Sequence, residues 1–125
     1  MGAKFVLATA FALATTSVAN AIPHHGGVDY DLLKARNHAS CAAEIAIAAD
    51  VVGDERAARA VRHYRDVGVG LVGQQKFAEL FNETVAIDAN VLTALINKNQ
   101  KEFIVEVRAM AERVNDCLQT AEMYY

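Results

Sequence analysis

From Asp29 to Tyr125 the chain carries no proline; its single proline, Pro23, lies before that stretch. Proline inside a helix removes a hydrogen bond and collides with the preceding turn, so a long proline-free stretch leaves helices unbroken. The same stretch is rich in alanine, the best helix former. Its apolar residues recur at steps of three and four rather than alternating, which is the period of a helix and not of a strand. The expected fold class is therefore all-α.

Four helices are predicted. The first spans about 29–52 and ends at Gly53-Asp54, where glycine stops one helix and aspartate caps the next. The second spans about 55–67, with Ala57, Ala60, Val61, Tyr64, Val67 and Leu71 as its core stripe and Gly68, Gly70 and Gly73 loosening its end. The third spans about 74–97, with Phe77, Leu80, Phe81, Val91, Leu92 and Leu95 on one face, and Asn97-Lys98-Asn99 makes the turn that follows. The fourth spans about 100–123, its stripe running through Phe103, Val107, Met110, Val114, Cys117, Leu118 and Ala121. Amphipathic helices with short links predict a small antiparallel four-helix bundle over residues 29–125.

Ahead of it, residues 1–21 have the three parts of a signal peptide. Lys4 supplies the charge, Phe5–Ala14 the apolar run, and Ala19-Asn20-Ala21 the small-x-small site, so cleavage is expected after Ala21. Thr9, Thr15, Thr16, Ser17 and Asn20 interrupt the run, and a membrane span needs about 20 apolar residues. Residues 22–28 (IPHHGGV) read as a flexible arm. The expected destination is the periplasm or the cell exterior.

Export places Cys41 and Cys117 in an oxidising compartment, where two cysteines pair. In an up-and-down bundle the first and last helices are antiparallel neighbours, and these two positions fall at similar heights. A disulfide joining helices one and four is expected. Neither cysteine lies in a CxxC or CxxCH motif, which argues against a thioredoxin-like site and covalent haem.

Net charge is −3 and becomes more negative once Lys4 leaves with the leader. Such a chain has no overall attraction to nucleic acid. Gly68–Gly73 matches GxGxxG, with Asp88 twenty residues beyond Gly68. A dinucleotide site needs a buried strand ahead of the glycines; here Arg62–Asp66 is polar and helical, so the run reads as a loose, closely packed helix end. Glu44 and Asp88 fall within apolar arcs and are expected to be buried. No Glu-x-x-His accompanies them, so they read as carboxylates held by a basic or hydroxyl partner such as Arg65 or Tyr64, not as a di-iron site. The ladder Glu55, Arg59, Arg62, Asp66 reads as a solvated face with i,i+4 ion pairs.

Among the histidines, His24 and His25 lie on the arm, where Pro23 removes the amide an amino-terminal copper site requires. His38 projects away from the core and His63 toward solvent. Asn82-Glu83-Thr84 is a glycosylation sequon. No nucleophile–base set is recognisable, and no cofactor or metal site is expected. The function expected is a non-enzymatic exported protein that binds a protein partner as an accessory or stress-related factor; the alternative is a small-molecule or haem carrier using the bundle interior.

Overall fold

A computed structural model describes residues 29–125. The signal-peptide cleavage site at Ala21 and the arm at 22–28 lie outside the described residues. Five helices follow in order: α1 Tyr30–Ile47, α2 Ala49–Val52, α3 Asp54–Val72, α4 Gln74–Lys98 and α5 Gln100–Glu122. No strand occurs among the described residues, and residues Asp31–Tyr125 form one compact unit.

The joints are single residues. Gly53 and Gly73 take φ of 104° and 88°, a left-handed backbone that only glycine adopts cheaply. Each is the N-cap of the next helix and supplies no side chain to it. The expectation that Asp54 caps the second helix is thus corrected: Asp54 lies in the first turn of α3, where its charge complements the helix dipole. Asn99 is the third joint. Its side chain accepts the Glu102 amide at 3.1 Å, a true N-cap, and the expected three-residue turn shrinks to this one residue.

Two further helix bounds differ from expectation. The first segment is broken at Ala48, where ψ swings to 11°, and no side chain there explains the break. The second runs on through Gly68 and Gly70 to Val72 instead of loosening at Val67. Gly68 has a packing role: a Cβ there would come within 2.3 Å of the Phe77 ring. The absent side chain lets α3 and α4 approach closely beside their joint, so the GxGxxG pattern is helix packing and not a phosphate loop.

The core joins Ala35, Ala39, Ala42 and Ile45 of α1 to Ala57, Ala60 and Tyr64 of α3, Phe77 and Leu80 of α4, and Met110, Val114, Leu118 and Ala121 of α5. Alanine faces permit close helix contact, with Ile45 and Leu80 the largest side chains fully enclosed. Cys41 and Cys117 are joined by a disulfide with Cα atoms 5.7 Å apart, within the reach of such a bond.

Burial is uneven. On α4 the buried residues are Phe77 and Leu80 alone, and on α5 they start at Met110. The outer half of the α4–α5 hairpin leaves Ile87, Val91, Ile96, Ile104, Val105 and Val107 exposed. Val91 and Val107 were expected in core stripes. Both are exposed, although Leu92 of the same stripe as Val91 packs against the core. Leu33, Ile47 and Val51, expected beside Glu44 on a buried arc, are exposed too.

Candidate functional site

Three groups of side chains carry chemistry. The first is a polar cluster one turn from the disulfide. Arg113 of α5 donates from Nε to Glu44 Oε1 at 2.9 Å and from Nη2 to Glu44 Oε2 at 2.8 Å. Glu44 itself is 5% exposed. A planar guanidinium matched to both carboxylate oxygens is the strongest form of this pair. Glu106 approaches the same Nη2 at 3.6 Å, and Asp88 of α4 completes the group, within hydrogen-bond reach of Glu44. Burial alone would raise Glu44, but the hydrogen bonds with Arg113 and Asp88 and the charge of Arg113 outweigh it and hold Glu44 below the ordinary carboxylate value. Asp88 moves the other way. Burial, the hydrogen bond to Glu44 and the charge of Glu44 push it up to about 6.

Glu44 thus has the basic partner that its burial demands, but the partner is Arg113, not Arg65 or Tyr64. Arg65 points instead at its neighbour Asp66, with Nε 3.7 Å from Oδ1. Tyr64 donates its hydroxyl to the Cys117 carbonyl. The register between α1 and α5 brings Arg113 to Glu44, one turn beyond Cys41–Cys117 on both helices. Beside Cys41, the Ser40 and Thr84 hydroxyls meet at 3.3 Å.

The second group is aromatic. Tyr64 lies edge-on to both His38 and His63, with ring centroids 5.3 and 5.2 Å away. His63 stacks on Tyr124 and meets Tyr125 edge-on. His63 therefore does not face open solvent, as expected from its helix phase; the chain end folds over it. His38 Nδ1 lies 2.9 Å from the Lys34 carbonyl and donates to it, since a carbonyl only accepts. Burial, followed by the charges of Lys34 and His63, lowers the His38 pKa despite this bond. Burial raises the Tyr64 pKa, with further contributions from Tyr125 and Tyr124.

The third group lines an open cleft of about 550 Å³ between α3 and the chain end, with Glu55, Arg56, Arg59, Arg62, Glu122 and Tyr125 on its walls. The expected i,i+4 ladder is absent from it. Arg56 makes a paired contact to Glu122 at 2.6 and 2.8 Å, and the Arg59 guanidinium sits 4.1 Å from the Tyr125 ring centroid. Arg59, which local spacing assigned to Glu55, lies over the Tyr125 ring, and Asp66 meets Arg65 in place of Arg62.

Among the described residues, no group of three or more His, Cys, Asp or Glu is placed to hold a metal ion, and no helix is long and apolar enough to cross a membrane. Met110, a core residue, and His38, which is outside the core, lie at different heights along their helices. Met110 lies seven residues along α5 from Cys117, about 10 Å of helix rise, whereas His38 packs on the Tyr64 ring. Comparison with known proteins found no matching family model, no matching curated protein and no matching solved structure.

Proposed function

We propose that this is an exported protein, a disulfide-stapled antiparallel four-helix bundle that acts by binding a protein partner and not by catalysis. The observation that carries this reading is the outer half of the α4–α5 hairpin, where Ile87, Val91, Ile96, Ile104, Val105 and Val107 stand exposed. Scattered apolar residues are ordinary on a protein surface, but a concentration on one arm marks an interaction surface. The charged groups favour binding over catalysis, since Glu44–Arg113 and Arg56–Glu122 satisfy one another.

Antiparallel neighbours are supported by the pairs Cys41–Cys117 and Glu44–Arg113, in which numbering rises on α1 as it falls on α5. Export is supported by the leader pattern over residues 1–21 and by a disulfide that suits an oxidising compartment. The haem or small-molecule alternative has less behind it, because Ile45, Leu80 and Leu118 fill the centre of the core.

The test is position-specific photo-crosslinking in the source organism, with the crosslinker at Ile104 and, as a control, at exposed Asp116. A protein adduct from position 104, missing from 116 and abolished by Ile96→Asp, supports the reading. Equal adducts from both positions overturn it. An adduct only to a second copy of this chain would make the arm a self-association surface.

A further inference from the structure

Asp88 Oδ2 is buried, and no hydrogen-bond partner reaches it. Such an atom is rare in a folded protein and calls for a cause. The groups facing it come from every helix packed at that level: Glu44 from α1, and Arg113 and Glu106 from α5. With all four ionised, three carboxylates would share one guanidinium. That guanidinium is already committed, Nε and Nη2 to the two oxygens of Glu44 and Nη2 also toward Glu106. The group left within reach of Asp88 is Glu44, another acceptor. Two carboxylates in a partly buried site repel unless a proton lies between them.

We propose that Asp88 and Glu44 form a proton-operated latch between α4 and α1: one proton on Asp88, donated to Glu44, holds the helices together beside the disulfide, and its loss loosens that contact.

The direction of the effect follows from where the proton binds more tightly. Asp88 is raised from 3.8 to about 6 in the folded protein. Between these values the folded state holds a proton that the unfolded chain has released. Stability from this group therefore falls as pH rises through the window, and the penalty is fully present above about 6. His38, whose pKa is lowered, acts in the opposite sense, because the folded protein favours its neutral form. The two must be separated by a variant and not by the pH profile of the native chain alone.

The experiment is a carboxyl-carbon NMR titration of the oxidised full domain from pH 4 to 8, with thermal melts of the native chain, Asp88→Asn and Glu44→Gln. The asparagine amide keeps a donor toward Glu44 without the charge. One carboxyl midpoint near 6 is expected, absent in Asp88→Asn and moved down in Glu44→Gln. The melting temperature of Asp88→Asn should exceed that of the native chain by roughly 5 °C at pH 7.5 and by much less at pH 4.5. Carboxyl midpoints all below about 5 would overturn the latch. So would a melting difference between Asp88→Asn and the native chain that does not change with pH. The titration needs no substitution, so a poorly folding variant does not leave the proposal undecided.

Discussion

The two halves of the α4–α5 hairpin obey the same sequence period and meet different fates. Near the disulfide, Phe77, Leu80, Val114 and Leu118 are enclosed by α1 and α3, and Tyr64 ties α3 to the backbone of Cys117. Toward Asn99, residues of the same character, such as Val91, Ile96 and Val107, are exposed. Amphipathic spacing specifies a face but not what covers it. α1 and α3, with 18 and 19 residues, are shorter than α4 with 25. The enclosed core lies in the stapled half, and the apolar surface of the outer half stands open.

The contrast breaks most completely when the staple is cut. The disulfide closes a loop of 76 residues, and the chain-entropy model gives about 4 kcal/mol for that length. Small domains have only about 5–15 kcal/mol in total. Cys41→Ala/Cys117→Ala, or reduction, should lower the melting temperature by tens of degrees or unfold the domain, as circular dichroism would record. A drop of only a few degrees would mean that packing alone holds the stapled half.

A smaller break comes at the α3–α4 contact. Gly68→Ala places a methyl group inside the Phe77 ring's space, so a loss of about 1–3 kcal/mol is expected by denaturant melts despite alanine's better helix propensity. Gly70→Ala, with nothing within 4 Å of its Cβ, should instead gain up to about 1 kcal/mol. Equal effects at the two glycines would show that the close approach of α3 and α4 is absent in solution. Arg113→Ala leaves Glu44 buried without its bidentate partner. Because the arginine is itself 46% exposed, the loss should be about 1–2 kcal/mol, well under that of a fully buried pair. The smallest effect belongs to the arm: Val105→Asp should leave the melting temperature within a degree or two of native, while weakening partner capture in the crosslinking assay.

Much of the stapled half was legible in the sequence. Two cysteines allow one internal pairing, and the stripes through Tyr64, Val114 and Leu118 found their core by period alone. The partner of Glu44 was not found, because pairing between helices depends on register and local spacing carries none. A signal was present nonetheless. Given the Cys41–Cys117 pair and the antiparallel first and last helices expected of an up-and-down bundle, three residues forward on one and four back on the other set Glu44 beside Arg113. The contacts of Arg56 with Glu122 and of Arg59 with Tyr125 depend in the same way on packing between elements and not on local spacing. The single-residue joints were half legible. Glycine marked two of them, but spacing could not show that α3 runs through Gly68 and Gly70, since that helix is held by its contact with Phe77. The exposed arm was not legible at all, because a periodic stripe looks the same whether or not another helix lies against it.

Amide hydrogen exchange on the oxidised domain tests the division into a stapled and an open half most directly, because each helical amide reports its own opening free energy. Strong protection is expected over residues 35–45, 57–68, 77–84 and 110–121, falling by orders of magnitude over 91–107. Uniform protection along α4 and α5 would contradict the account, and would mean that the exposed apolar arm is as firmly held as the core beside the disulfide.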